Sequence, residues 1–266
     1  MTSDTFSPQK HAVITGASRG LGKSFAEEII KRGISPILIS SSEQVNILAD
    51  SLQEKYHIPC HAFRTDLTKP DQILATVREI NENYDVFLLI NNAGTGGSQR
   101  FDSADINRLE KIIQLNVTAP MLMCKLLLPN LLKQNKSYIL NVSSMAALTP
   151  VGYKMDYPAS KAFLRHFSFD LREEFRHTGL SVSVVCPGAM ATSPEITQRI
   201  ENQGFFGKLT LVSTENVAKK CVHQTLKGKK EIIVNPVSFL FSHIVPRCIS
   251  SPLLTRIVKR ETENHE

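Results

Sequence analysis

His11-Ala-Val-Ile-Thr15-Gly16-Ala-Ser-Arg-Gly20-Leu-Gly22 is a short apolar β-run that breaks into a glycine-rich turn. After the turn, Leu21, Phe25 and Ile29 recur at four-residue steps, the spacing of one helical face. Glycines at 16, 20 and 22 permit a tight turn and a close backbone approach. The helix that follows offers unpaired N–H groups to an anion, so the strand–turn–helix reads as a site for the pyrophosphate of a dinucleotide.

The rest of the chain repeats the alternation of strand and helix. Apolar β-runs are expected at His11–Thr15, Pro36–Ser40, Cys60–Arg64, Val86–Ile90, Ser137–Val142, Ser181–Cys186 and Glu231–Asn235. Between them, stripes such as Ile73/Val77/Ile80, Leu109/Ile112/Ile113 and Phe163/Phe167/Leu171 keep helical spacing. The expectation is an α/β fold, a single Rossmann-type doubly wound parallel sheet of seven strands flanked by helices. The 266 residues suit one domain with a core over 10–235.

Composition narrows the function classes. With 42% hydrophobic and 21% charged residues the chain has the make-up of a soluble globular protein. Residues 1–10 are polar and show no secretory signal, which points to the cytoplasm. Cys60, Cys124, Cys186, Cys221 and Cys248 are widely spaced without a CxxC pair, so neither a disulfide framework nor a zinc site is expected. The densest metal-like run, His57-Ile-Pro-Cys60-His61, is broken by Pro59, which prevents a regular helix there; the expectation is no metal. The net charge of +6 gathers around Lys219–Lys230 and Arg247–Arg260 without aromatic interleaving, which reads as solvated surface, with no nucleic acid partner.

Tyr157-Pro-Ala-Ser-Lys161 carries the chemistry. If these residues open a helix, the four-residue step sets the phenol and the ammonium on one face, where a cation lowers the cost of a phenolate. Free tyrosine titrates near ~10, so it needs such a neighbour to exchange protons at neutral pH. Pro158 is tolerated only in a first helical turn and places the helix start at about Asp156.

The glycine spacing G-x-x-x-G-x-G together with Tyr157-x-x-x-Lys161 resembles the short-chain dehydrogenase/reductase family, in its hydroxysteroid dehydrogenase and ketoacyl reductase branch. Asn91-Asn-Ala-Gly94, Asp66, Asn116, Ser144 and Pro187-Gly188 with Thr192 match further family motifs in order, over roughly residues 10–235. The resemblance implies Asn116, Ser144, Tyr157 and Lys161 as catalytic residues. It implies cofactor contacts from Gly16, Ser18, Arg19, Gly20, Leu21, Gly22, Ser41, Ser42, Asp66, Leu67, Asn92, Ala93, Gly94, Tyr157, Lys161, Pro187, Gly188 and Thr192. In that reading Ser144 hydrogen-bonds the substrate oxygen, Asn116 anchors a water for proton supply, and strand alternation turns Ser143 away from the site.

Charge at the adenosine ribose chooses the cofactor. The second strand ends in Ser40-Ser-Ser42 without an acid before Glu43, and Arg19 stands where NADP-preferring relatives carry a basic residue; NADP(H) is favoured over NAD(H). A second arginine, frequent after this strand in such relatives, is replaced by serine, leaving Arg19 to carry the discrimination.

Substrate contacts are expected from Met145, Met190, Phe205 and Phe206, the last three in a lid over 189–211, which implies a small hydrophobic carbonyl or alcohol. Beyond the last strand, a helical appendage over 237–260 is expected as two pieces, one ended by Pro246 and one capped by Ser251-Pro252. Its apolar stripes and Arg247, Arg256, Lys259 and Arg260 suggest peripheral membrane contact, a partner surface or packing on the lid. The family habit implies a homodimer or homotetramer through helices near 105–133 and 156–177. The function expected is NADP(H)-dependent interconversion of a hydrophobic ketone or acyl substrate and its secondary alcohol. The alternatives are a 3-oxoacyl-carrier-protein/CoA reductase, an NAD-dependent alcohol dehydrogenase and a non-catalytic NADP-binding regulator.

Overall fold

In the computed structural model, residues 10–188, 190, 213–234 and 247–263 are described. The strands are β1 (His11–Thr15), β2 (Ser35–Ser40), β3 (His61–Arg64), β4 (Val86–Asn91), β5 (Ser137–Val142), β6 (Leu180–Val185) and β7 (Glu231–Ile232). The α-helices among the described residues are α1 (Gly20–Ile30), α2 (Gln44–Tyr56), α3 (Pro70–Asn83), α4 (Ile106–Ile113), α5 (Ala119–Lys133), α6 (Tyr157–Glu174), α7 (Thr214–Leu226) and α8 (Arg247–Glu263). The strands form one parallel sheet in the order β3-β2-β1-β4-β5-β6-β7, as the alternating pattern predicts. Cys60 falls just outside β3, and Asn235 lies outside the described residues.

Strand alternation sorts the core into two layers. Ala12, Ile14, Leu38, Ile90 and Leu140 pack with the apolar faces of α1, α2 and α7. Val13, Ile37, Ile39, Leu89 and Ile139 pack on the other side with Ile73, Val77 and Ile80 of α3 and with Met123, Leu127 and Leu131 of α5. Burial on both faces explains why these strands read as continuous apolar runs rather than alternating ones. The chain order reverses between β1 and β4, and a ligand crevice belongs there, outside the strands' carboxyl ends.

Two departures from the helical pattern matter. A π-helical segment, Gln114–Thr118, interrupts the run from α4 into α5 and holds Asn116. The C-terminal piece is one helix, α8, that starts before Ser251, so Ser251 is not its cap and Pro252 lies inside it. The proline forfeits a backbone bond only near the helix start, where Cys248 is exposed and its carbonyl can turn to water. The other expected helical piece, ended by Pro246, lies outside the described residues. Helix α8 is tied to the body by the Gly152 N–H, which donates to Thr255 Oγ1 at 3.0 Å. The run Ile106–Lys133 is long and apolar enough to cross a membrane, but it buries Ile112, Met123, Leu127 and Leu131 in the core.

A polar chain threads the apolar core beneath the site. Asn91 Nδ2 donates to Asn141 Oδ1 at 2.9 Å, Asn141 Nδ2 to Ser168 Oγ at 2.9 Å, and Ser168 Oγ to the Leu164 carbonyl at 2.6 Å. It joins β4, β5 and α6, and all three side chains that make it are buried. Truncating the middle member leaves partners without hydrogen bonds in an apolar setting, at roughly 1–3 kcal/mol per group. Asn141→Ala is therefore expected to lower unfolding free energy by about 2–4 kcal/mol in a urea titration, with the m-value unchanged.

Candidate active site

The glycine turn is built by β1 and β4 together. Thr15 Oγ1 accepts from the Asn92 and Ala93 N–H groups, each at 3.0 Å, while Asn92 Nδ2 donates to the carbonyls of Thr15 at 2.9 Å and Gly16 at 3.2 Å. Gly16 has φ +65°, and a Cβ there would stand 2.9 Å from Ala93 Cα, so only glycine fits both backbone and space. The expected cofactor residues Gly16, Asn92 and Ala93 are thus one unit. Arg19 is the extended N-cap residue of α1 and provides no side-chain cap. The first-turn amides of Gly20, Leu21 and Gly22 consequently have no side-chain acceptor, as a pyrophosphate site requires. Ser40 Oγ donates to Ser18 Oγ at 3.0 Å, which links this turn to the end of β2, where Ser41 and Ser42 follow.

At the adenine end, Asp66 Oδ1 accepts from Thr68 N at 3.0 Å and Thr68 Oγ1 at 2.8 Å. Burial alone would raise its carboxyl, but these bonds and the charges of Lys69 and Lys111 outweigh it and hold the group below the ordinary range. Leu67, beside it, is buried in the second core layer.

The four residues expected to be catalytic, Asn116, Ser144, Tyr157 and Lys161, converge at the ends of β4 and β5. Tyr157 is the first residue of α6, with Asp156 as N-cap and Pro158 in the first turn, as the proline predicts. Ser144 begins a short 3-10 turn, accepting from Ala146 N at 3.1 Å. Its hydroxyl lies close enough to the Tyr157 phenol to favour the phenolate. Ser143 turns inward and donates to the Lys161 carbonyl at 2.7 Å, which separates the two serines as strand alternation predicts. Lys161 is 4% exposed, and its Nζ donates to the Val142 carbonyl at 2.9 Å.

Asn116 is fully buried and both its amide hydrogens are engaged. Nδ2 donates to the Thr95 carbonyl at 2.8 Å and Ser160 Oγ at 3.0 Å, while Oδ1 accepts from Thr95 N at 2.9 Å. Ser160 Oγ in turn donates to the Tyr157 carbonyl at 2.7 Å. The side chain is thus a clamp between the segment after β4 and the start of α6. Gly94 lies against the clamp: a Cβ there would meet Lys161 Nζ at 3.0 Å and Asn116 Oδ1 at 3.2 Å. A glycine cradle lined by a buried ammonium and an amide, in line with an uncapped helix start, fits a nicotinamide dinucleotide.

Electrostatics differ from the sequence expectation in one respect. Burial pushes the Tyr157 phenol up from its ordinary value, and the nearby Ser144 hydroxyl only partly offsets this. Lys161, lowered by burial to about 8, directs its ammonium to Val142. Burial, rather than acidification by Lys161, is therefore the dominant influence on Tyr157 here, and the phenol holds its proton at neutral pH.

Other expected residues fall as follows. Pro187 accepts from Met145 N at 3.0 Å, which joins the segment Pro187-Gly188 to the loop after Ser144. Met145 is partly exposed beside Ser144, whereas Met190 packs against the first core layer and is at least partly structural. Thr192, Phe205 and Phe206 lie outside the described residues, as does the rest of the lid.

Three residues at the site carry no readable sequence signal. Cys186 is buried beside Ser143, and burial pushes its thiol to about 11. Tyr153 and Met155 adopt left-handed φ values of 63° and 53° in the loop leading to Tyr157. That loop is held by Gln99 N donating to the Tyr153 carbonyl at 2.9 Å and Lys154 Nζ donating to Ser98 Oγ at 2.8 Å.

Lys161 gives a pH signature. Between its folded value of about 8 and its ordinary 10.5, the unfolded chain holds a proton that the folded chain does not, so stability rises with pH across this window. Below the window the penalty is complete, at roughly 3 kcal/mol. Chemical denaturation from pH 7 to 10.5 is expected to show this rise in the wild type and its loss in Lys161→Met, which is the more stable of the two at pH 7.

Residues 10–203 match the short chain dehydrogenase family. The chain is 34% identical over 186 residues to very-long-chain 3-oxoacyl-CoA reductase of Anas platyrhynchos, covering 68% of this chain and 60% of that protein. It is 33% identical over 185 residues to inactive hydroxysteroid dehydrogenase-like protein 1 of Homo sapiens, covering 68% and 56%. The chain thus matches only about three-fifths of these relatives' length. Its fold superposes on a 7beta-hydroxysteroid dehydrogenase structure with TM-score 0.80 at 21% identity, covering 94% of this chain and 96% of that one. It also superposes on a short-chain dehydrogenase from Sphingobium yanoikuyae in complex with NADPH, with TM-score 0.75 at 27% identity, covering 84% and 87%. With the motifs, the sheet and the converging quartet in agreement, the chain belongs to the short chain dehydrogenase family of NAD(P)-binding oxidoreductases.

Proposed function

We propose that this protein is an NADP(H)-dependent reductase that interconverts a hydrophobic carbonyl compound and its secondary alcohol. The observation that carries the reading is Tyr157 at the start of α6 with Ser144 beside its phenol, three residues before Ser160, which Asn116 clamps, and one turn before the buried Lys161. When bound, the dinucleotide supplies a hydride to the carbonyl carbon. Tyr157, protonated at neutral pH, donates its proton to the carbonyl oxygen. Ser144 donates a hydrogen bond to the same oxygen as charge grows on it, an effect of about 2–4 kcal/mol for a well-placed donor. Lys161 is largely cationic below about 8 and offsets the negative charge left on the phenolate. Asn116 holds the segment 94–95 and the start of α6 in register for this transfer, and water held at its end of the site returns the proton to Tyr157.

NADP(H) follows from the absence of an acid in Ser40–Ser42 and from the exposed Arg19 beside the glycine turn. The neighbours include both an NADPH complex and an NAD complex, so the cofactor preference rests on this chain's own charges. The substrate side is mainly apolar, with Met145 partly exposed beside Ser144. A 3-oxoacyl thioester is the second reading for the substrate, favoured by the name of the Anas platyrhynchos relative. A regulator without turnover, suggested by the name of the human relative, is disfavoured by the complete quartet.

Partners and place follow from exposed apolar side chains. Met121, Leu132 and Phe163 are exposed on α5 and α6 and suit pairing of two subunits. On α8, Ile249, Leu253 and Ile257 are 59%, 49% and 41% exposed at four-residue steps. Arg256 and Arg260 are exposed beside this stripe, and their charge can add attraction to an anionic membrane to the burial of the apolar side chains.

Tyr157→Phe is expected to cut NADPH consumption with a panel of steroid, aromatic and 3-oxoacyl ketones by about 10²–10⁴-fold while calorimetry still shows NADPH binding. Turnover that survives the change removes Tyr157 as proton donor, and no turnover by the wild type on any carbonyl favours the regulator. For the membrane contact, cosedimentation with phosphatidylglycerol vesicles is expected for the wild type. Replacing Ile249, Leu253 and Ile257 together by serine is expected to abolish it, and equal sedimentation of both proteins removes α8 as the contact.

A further inference from the structure

Serine stands after β2 where an arginine would strengthen a 2′-phosphate site, but the sheet brings another arginine to the same spot. In the parallel register of β2 and β3, Arg64 is the partner of Ser40. Alternation along β3 puts Arg64 on the side of Ala62, which packs on the first core layer with α1 and α2, and opposite Phe63, which packs on the second. The guanidinium folds back over the end of β2: Arg64 Nε donates to the Ser41 carbonyl at 3.4 Å, and Nη1 to Glu43 Oε2 at 2.7 Å. The two charged side chains are 63% and 66% exposed, so the group faces solvent at the edge of the crevice. From the other flank, the 3.0 Å bond between Ser40 and Ser18 brings in the turn whose next residue is Arg19.

The pair resolves a difficulty with Glu43. An unpaired carboxylate after the second strand accepts hydrogen bonds from the adenosine ribose hydroxyls and repels a phosphate attached to one of them. Arg64 neutralises that carboxylate and holds it by a charge-assisted bond. Of the five N–H donors of a guanidinium, these contacts use two, and the rest can take a second anion in the fork geometry that suits phosphate. We propose that Arg64 is the second cation of the subsite for the adenosine 2′-phosphate, opposite Arg19, and that Glu43 holds its guanidinium over Ser41 and Ser42. This assignment rests on the NADP(H) reading above and deepens it: cofactor choice is set by a residue pair that spans two strands.

The test is calorimetric binding of NADP⁺ and NAD⁺ to the wild type, R64Q, R64K, E43Q and R64Q/E43Q. An exposed ion pair contributes little to folding, so all the variants are expected to melt close to the wild type. R64Q is expected to weaken NADP⁺ by about tenfold or more with NAD⁺ unchanged or tighter, and R64K to fall between, because lysine keeps the charge without the fork. E43Q, which frees the guanidinium from its anchor, is expected to weaken NADP⁺ by less than R64Q does, and R64Q/E43Q to recover part of the loss seen in R64Q, since the uncovered carboxylate is then gone. Equal weakening of both dinucleotides by R64Q, or no change in either, overturns the role of Arg64. A wild type that binds NAD⁺ as tightly as NADP⁺ overturns instead the NADP(H) reading on which it rests.

Discussion

The Asn116 side chain is the joint on which the site depends. It is fully buried in a π-helical segment and spends its amide on Thr95 at both backbone groups and on Ser160. Through Ser160 the joint reaches the carbonyl of Tyr157. Three pieces of chain distant in sequence thereby share one set of hydrogen bonds: the segment after β4, the long α4–α5 run and the start of α6. A buried amide can be satisfied in so few ways that the arrangement is nearly rigid, and rigidity is what a proton donor and a cofactor wall need to stay in register. The π-turn has a physical use here. A regular helix would carry position 116 past this point, and the wider turn keeps the side chain aimed at Thr95.

The same economy governs charge. Lys161 is buried without a carboxylate partner among the described residues, and its penalty shows as a value lowered to about 8. Tyr157 moves the other way for the same reason, since burial disfavours the charged form of each. A site that leaves both groups short of their preferred solvation gains when a phenolate and an ammonium appear together, because each charge then supplies what the other lacks. Burial that is unfavourable to either charge alone is offset in part when the two appear together, the state that the proposed proton donation would reach.

What could be read from the chain was what local chemistry decides. The strand-to-turn-to-helix at His11–Gly22 was legible because Gly16 needs its left-handed backbone to make the turn, and Pro158 was legible because a first helical turn accommodates proline without losing a backbone bond. The seven apolar runs were legible because burial on both faces leaves no other composition. Arg64 was not, since its place beside Ser41 depends on the register of β2 and β3, which no spacing along the chain reveals. Tyr153 and Met155 were not either: nothing in a tyrosine or a methionine announces a left-handed backbone, and tertiary contacts with Ser98 and Gln99 impose it. Ser251-Pro252 misled because the pair reads as a helix start, while α8 tolerates the proline close to its true start.

That loop is where the C-terminal helix meets the chemistry. A Cβ at Gly152 would stand 2.9 Å from Thr255 Cγ2, and the Gly152 N–H bonds the Thr255 hydroxyl, so α8 lies directly on the residue before Tyr153. From Tyr153 the strained backbone runs through Met155 into Asp156 and the helix start that carries Tyr157. Left-handed conformations at two non-glycine residues, at a cost of order 1–3 kcal/mol each, persist only where surrounding contacts hold them. The bridge between Gln99 and Lys154 supplies one such hold and Thr255 another. The inner side of α8, with Ser250, Val258 and Thr262 buried, is therefore part of what sets the approach to Tyr157. Its outer side keeps Ile249, Leu253 and Ile257 in solvent, so whatever covers that stripe acts on the catalytic loop through a single helix one residue removed from it.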